Sequence, residues 1–492
     1  MRIFKIAPGQ KWQLPAAVVF FAIIYSLIAV VNHYNFRTYA LDLGAYTNAL
    51  YDYVRLQWND STVWKPVAEN LLSDHFDLLL FFIAPLSLLL GSYTLLLVQI
   101  FFVLLGGIGV YRYFMLNPKQ ASIAIYATIF FYLFFGIFAA LAFDYHGNVV
   151  AAALVPWFFV QLRRNKLLPA FLFLLAILFG KENMSLWMAF VSLGLLANHW
   201  RQPRVRYFLV FAFLFSIVYF YLVIQVLMPA LSNGGNYTHF SYDAVGSTPG
   251  EAIVTILRHP IEVIKIMFTN HTGDPFGDYV KPELWIFLTA CGLPLLLLRP
   301  QYLVMLAPIF FQKLLSNIYQ HWGVGYQYSV EFAPIMAIGV FSVVALIRNK
   351  SFKHIAAIVL VLLSAGTTIR LMDNTHQYIN KTFVRIYSRD HYVRQHSVKH
   401  LHQVLKLVPD DVVVSAQTAF VPHLALRDTI YQFPIIKDAT YVVVSNRENT
   451  WPITIDDFLK LTTELETNGQ WEIVFKDGDI MILKRKPDEG NQ

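Results

Sequence analysis

Runs of uncharged, apolar residues recur along this chain as far as residue 369, and they constrain its fold more than any other feature. A helix needs about 20 residues to cross the hydrocarbon core of a bilayer, where backbone polar groups can pair only within helices or closed barrels. Runs that approach this size, roughly, occupy residues 14–32, 93–114, 123–141, 149–162, 167–180, 185–197, 207–228, 284–298, 302–315, 332–347 and 355–369. Of the 492 residues, 57% are hydrophobic and 16% aromatic, far more than in an ordinary soluble domain. The chain therefore reads as an α-helical polytopic membrane protein with about eleven transmembrane helices. Its single cysteine, Cys291, lies inside an apolar run and excludes an intrachain disulfide. No internal repeat is evident.

A net charge of +7 raises the question of nucleic acid, but Lys and Arg are scattered through short connections rather than gathered in one stripe. No nucleic-acid partner is expected, and the charge is read as topology. If residues 76–90 lie along the outer surface and the chain crosses inward over 93–114, the basic clusters share one side. These are Arg112 and Lys119; Arg163, Arg164 and Lys166; Arg201, Arg204 and Arg206; Arg299; and Arg348, Lys350 and Lys353. Counting 76–90 as a further span would split them, against the bias of Lys and Arg toward the cytoplasm. Arg2, Lys5 and Lys11 join the same side, and the first run, without a small-residue cleavage site, reads as an uncleaved anchor. The expected topology is that of the cytoplasmic (inner) membrane, with the N-terminus inside, residues 1–370 as the membrane domain, and external loops over 33–92 and 229–283.

From about residue 371 the composition turns soluble. Residues 412–415 and 441–444 read as buried strands, 455–467 as a helix, and 471–484 as a hairpin turning at Asp477-Gly478-Asp479. Residues 371–492 are thus expected to form a small extracytoplasmic α/β domain. They contain no phosphate-binding glycine loop or nucleophile motif.

The short polar motifs of the chain all fall on the outer face in this topology: Leu41-Asp42-Leu43-Gly44, Ser73-Asp74-His75-Phe76-Asp77, Phe143-Asp144-Tyr145-His146 and Lys181-Glu182-Asn183. Ionisable groups at span ends are costly unless they face a cavity or one another, so their gathering suggests a shared site. Asp42 is the candidate base for a hydroxyl nucleophile or a ligand for a cation, and equally a helix cap. His75 begins the surface segment, where Asp74 and Asp77 also suit a first-turn role. Asp144, His146, Lys181 and Glu182 come from different helices. Lys181 or a protonated His suits a phosphate leaving group, and the carboxylates suit an acceptor or a divalent cation such as Mg or Mn. Asp42, Asp144 and His146 are the candidate metal ligands, without the local spacing of a known metal motif. Tyr326 and Tyr328, in the aromatic turn 320–328, are candidates for substrate stacking or for an interfacial belt.

At these residues the chain resembles the prokaryotic membrane-protein family called domain of unknown function 2079. The resemblance runs from about Thr38 to Ile347, through Asp42-Leu-Gly, His75-Phe, Ala84-Pro85-Leu86, Phe143-Asp144-Tyr145-His146, Lys181-Glu182 and Tyr326-Gln327-Tyr328. Tyr145 and Asn183 depart from the family's usual Asp-Phe-His and Lys-Glu-Asp. That family in turn looks like the C-type (GT-C) glycosyltransferases, which use lipid-phosphate-linked sugars. The shared features are a first external loop bearing an acid, a surface helix before the second span and an external C-terminal domain. Many such enzymes carry paired acids in the first loop, whereas Leu43 follows Asp42 here.

The resemblance implies an integral-membrane glycosyltransferase that takes a sugar from a polyprenyl-phosphate donor in the membrane lipid and passes it to a glycan, lipid or protein acceptor. In that reading Asp42 is the base or a cation ligand, Lys181 and His146 meet the departing phosphate, and Asp144 and Glu182 position His146, a cation or the sugar. A transporter or flippase using the same residues, or a noncatalytic sensor or assembly protein, is the alternative from another class.

Overall fold

The computed structural model describes residues 12–487. Arg2, Lys5 and Lys11 lie outside them. Every apolar run identified above is helical over much of its length. Among the described residues, four helices are long and apolar enough to cross a bilayer: Gln13–Tyr34, Leu79–Met115, Pro203–Leu231 and Lys350–Asp373. A fifth is made by Ala121–Tyr132 and Phe135–Leu141 if that pair, bent by 41°, counts as one span. The helices Gly147–Arg163, Leu167–Leu178 and Phe332–Val344 are apolar but shorter.

The bend at Leu133 and Phe134 has a physical basis. A break in a buried helix frees carbonyls that lipid cannot satisfy, so neighbouring side chains must. Tyr25 donates its hydroxyl to the Tyr132 carbonyl at 2.7 Å, and Thr368 donates to that of Leu133. Residues 76–90 form Leu79–Ile83 and Ser87–Leu90, joined by a tighter turn at Ala84–Leu86 that accommodates Pro85. Phe82, Leu88 and Leu89 are exposed along this stretch, as expected of a helix in contact with lipid.

The C-terminal residues build a five-stranded sheet in the order Ile430–Gln432, Val414–Ala416, Tyr441–Val444, Met481–Arg485, Trp471–Lys476. The first three strands are parallel, and the last two add antiparallel. Alternation along a strand sends successive side chains to opposite faces. Val442, Val444 and Leu483 pack with Phe458 and Leu465 of the Ile455–Thr467 helix, whereas Val443 and Ile482 belong to the core shared with the membrane helices. The Asp477 carboxylate closes the hairpin by accepting from the amides of Asp479 and Ile480 at 2.8 and 2.9 Å.

This sheet is joined to the segment that follows the first helix. Gln432 N donates to the Val63 carbonyl at 2.6 Å, and the Asn48 side chain donates to the carbonyls of Ala425 and Arg427 at 3.2 and 2.8 Å. The Arg37 guanidinium donates to three carbonyls, those of Thr382, Asp390 and His391, at 3.2, 2.8 and 2.7 Å. The loop that carries Asp42 is thereby held between the helices and the C-terminal sheet.

Candidate functional site

Asp42 lies in Ala40–Gly44, a wide helical turn that leads into the helix Ala45–Val54. Such π-type turns widen the backbone and re-aim a side chain. Asp42 Oδ1 meets His146 Nε2 at 3.3 Å; the imidazole is almost fully buried, and the carboxylate is 19% exposed. His146 caps the helix Gly147–Arg163 with extended backbone, and Phe143 stacks on its ring at 5.4 Å. Burial holds its pKa below the usual histidine value despite the neighbouring Asp42. A neutral ring with its proton on Nε2 donates to Asp42 and leaves Nδ1 bare, in accord with the absence of a partner for Nδ1 among the described residues.

The Phe143–His146 turn is fixed by two residues. Asp144 adopts a left-handed backbone, φ +49°, a conformation Asp tolerates better than most residues. Its carboxyl accepts from the amides of Tyr39, at 3.0 Å, and Leu43, bracketing the segment that carries Asp42. Burial first and Asp42 second push the Asp144 pKa well up. Gln99, fully buried in the Thr94–Met115 helix, donates Nε2 to the Asp144 carbonyl at 3.0 Å and accepts the His146 amide on Oε1 at 2.9 Å. One planar amide thus pairs with both backbone groups flanking Tyr145.

A second group lies alongside. Glu182 begins the helix Glu182–His199 and accepts from His75 Nδ1 at 3.3 Å and from the Phe76 amide at 3.1 Å. Lys181 Nζ is 3.4 Å from His75 Nε2. The Lys181 segment meets the His146 turn because glycines allow backbone to touch backbone: a Cβ on Gly147 would come within 2.0 Å of the Gly180 carbonyl and 2.3 Å of Asp77 Oδ2. Asp77 is buried, accepts from the Leu79 amide at 3.0 Å and the Tyr145 hydroxyl at 3.1 Å, and is pushed up to about 8 by burial, which outweighs those two bonds.

The two groups are close neighbours. Tyr46 lies within electrostatic reach of Asp42, Asp74, Asp77 and Glu182, and His146 within that of Lys181 and His75. Tyr328 is close enough to Asp42 to feel its charge, and Tyr326 packs edge-on against Phe143 at 4.7 Å. The structure therefore brings together Asp42 with His146 and Asp144, His75 with Lys181 and Glu182, and the two tyrosines beside them.

Gln99, Tyr46 and His239 belong to the same surroundings and were not singled out by the sequence. A lone amide in an apolar run was the available signal for Gln99; His239, in a long loop, had none. His239 stacks on His75 at 4.6 Å, and its Nε2 meets Asp74 Oδ1 at 3.2 Å. Burial opposes the charge on both partners, but their attraction prevails: Asp74 is held below the usual carboxylate range and His239 above the usual histidine value. Among the described residues, Asp74, His75 and His239 form the trio whose ligand atoms all lie within 4.8 Å of one another. Two imidazoles and one carboxylate do not suit Mg or Mn, which prefer oxygen donors. The expected metal ligands Asp42, Asp144 and His146 are neighbours, but the Asp144 carboxyl is occupied by backbone amides.

The helix bundle and C-terminal sheet define a membrane protein of GT-C fold. The structure superposes on that of ArnT from Cupriavidus metallidurans bound to undecaprenyl phosphate with a TM-score of 0.54 at 13% identity, covering 99% of this chain and 100% of that one. For ArnT from the same organism in the apo state the TM-score is 0.49 at 14% identity, over 97% and 98% of the two chains. No curated protein matches the sequence. The chain belongs to the family described as "Predicted membrane protein (DUF2079)", which it matches over residues 32–482.

Proposed function

We propose that this protein is an integral-membrane glycosyltransferase that moves a sugar from a polyprenyl-phosphate donor to an acceptor at the outer face of the cytoplasmic membrane. The observation that carries the reading is the Asp42–His146 pair, a partly exposed carboxylate held by a buried imidazole, beside a separate Lys181–His75 group.

The division of labour follows from charge. Asp42 accepts the proton of an acceptor hydroxyl as that oxygen bonds to the anomeric carbon of the sugar. The bond from that carbon to the phosphate oxygen breaks, and its electron pair leaves on the polyprenyl phosphate. Lys181 supplies donors to the departing anion, and His75, fixed through Nδ1 by Glu182, accepts from the ammonium on Nε2 and orients it. His146, neutral and buried, orients Asp42, and Asp144 and Gln99 hold the two segments in register.

An apolar groove of about 480 Å³, lined by residues that include Leu79, Ile83, Leu90, Val98, Phe102 and Val150, opens beside this site and suits the prenyl chain. The lipid in the like-folded ArnT structure, undecaprenyl phosphate, supports that choice of carrier. The test is reconstitution with polyprenyl-phosphate sugar labelled in the sugar. Glycosyl transfer releases polyprenyl phosphate and moves label to an acceptor; a transporter moves label across the bilayer with the sugar–phosphate bond intact.

A further inference from the structure

A second cavity, of about 330 Å³, lies on the other side of the Phe143–His146 turn. Phe143 and Ala142, just before the turn, line this cavity, whereas Val150, just after it, lines the apolar groove. The two spaces differ in chemistry. The groove is walled by aliphatic side chains and phenylalanines. The cavity is walled by Tyr39, Phe143, Tyr326 and Tyr378, with Asn380 and Asn449 at its edge and no charged side chain in its lining.

Its walls are continuous with the reacting groups. Tyr39 precedes the turn carrying Asp42, and its amide is held by Asp144. Tyr326 packs on Phe143, and Phe143 stacks on His146. Asn380 Oδ1 accepts from Thr382 and Asn449 Oδ1 from the Trp451 amide, and among the described residues each Nδ2 has no hydrogen-bond partner. Tyr378 is 74% exposed, so one aromatic face stands ready at the entrance.

We propose that this cavity is the acceptor subsite and that the acceptor is a carbohydrate, with one or two neutral sugar rings stacked on the tyrosines and Phe143. Aromatic faces pack against the C–H faces of sugar rings, and amide donors meet their hydroxyls, as small-ligand sites combine apolar walls with a few polar groups. The absence of a charged lining residue disfavours an anionic headgroup, which Lys181 and His75 would serve instead. The volume falls at the lower end of the roughly 300–1,000 Å³ of such sites. The C-terminal region, through Tyr378, Asn380 and Asn449, thereby selects the acceptor.

The inference rests on the glycosyltransferase reading, but its test is separable because it needs no donor. Full-length protein in nanodiscs is exposed to an immobilised panel of neutral and amino-sugar oligosaccharides of two to four rings. Its best ligand is then titrated into wild type, Tyr378→Ala and Asn449→Ala, with thermal unfolding as the check on folding. Binding by wild type that weakens about tenfold in each variant, at unchanged melting temperature, supports the subsite. Binding of no oligosaccharide, or binding indifferent to both substitutions, overturns it even if donor cleavage is observed. Oligosaccharide binding that depends on both residues, with no donor cleavage in reconstituted membranes, keeps the saccharide site and removes the transfer reading.

Discussion

His146 Nε2 and Asp42 Oδ1 stand 3.3 Å apart, although one caps a helix of the bundle and the other lies in a turn after the first helix. The contact is built from both sides. Asp144 ties the Asp42 turn to the bundle through two backbone amides, and Gln99 ties His146 to the interior of a neighbouring helix. A carboxylate oriented in this way loses little freedom when it accepts a proton.

Gln99→Leu removes both hydrogen bonds to the turn and leaves a buried carbonyl and a buried amide unpaired. Each unpaired group costs about 1–3 kcal/mol. The variant is expected to melt several degrees lower in detergent and to lose activity about tenfold or more. Unchanged melting and unchanged activity would show that the turn is held by other means.

Gly147→Ala places a methyl group within 2.0 Å of the Gly180 carbonyl. The backbones must separate, at a cost of about 1–3 kcal/mol or more, and the Lys181–Glu182 segment moves away from the His146 turn. Lower thermal stability together with reduced activity is expected. Ala at position 250, where a Cβ meets nothing within 4 Å, serves as the control.

Asp77 predicts a pH dependence. Burial raises its pKa from 3.8 to about 8, so the folded chain keeps a proton that the unfolded chain has already released. The stability contributed by this group is full below 3.8 and lost as pH rises through about 8. Asp77→Asn, which mimics the neutral acid, should flatten the melting temperature across that interval and raise it at the alkaline end. Wild-type melting that rises with pH over the same interval, with the variant parallel to it, would contradict the assignment.

How much of this was legible in the sequence depended on the kind of force. Apolar runs report lipid and core burial directly, and the helices fall where they do. The strands at Val414–Ala416 and Tyr441–Val444 and the helix Ile455–Thr467 were likewise marked by apolar pattern and turn residues. The strand Ile430–Gln432 was not. The residue types at the site were visible one motif at a time, but their pairing was not. Asp42 meets His146 because Asp144 bonds amides in another segment, His75 meets Glu182 where the Leu78 amide donates to the Phe179 carbonyl, and the Lys181 segment meets the His146 turn because Gly147 and Gly180 let the backbones touch. All depend on three-dimensional neighbours that local spacing does not encode.

Lys181→Gln tests the phosphate side. Charge-assisted hydrogen bonds contribute about 1.5–3 kcal/mol, so the variant should bind undecaprenyl phosphate roughly ten- to a hundredfold more weakly. Titration of the lipid into protein in nanodiscs measures this; equal affinity would place the phosphate elsewhere.

The central claim is that the Asp42 carboxylate accepts the acceptor's proton, and the most direct measurement is the single-turnover rate of transfer from labelled polyprenyl-phosphate sugar by wild type and Asp42→Asn. Asparagine keeps the size and can still accept from His146, but it cannot take a proton. General-base catalysis is worth about 10²–10⁴-fold. A fall of that size at unchanged lipid binding and unchanged melting temperature is predicted; transfer by Asp42→Asn at the wild-type rate would contradict the account.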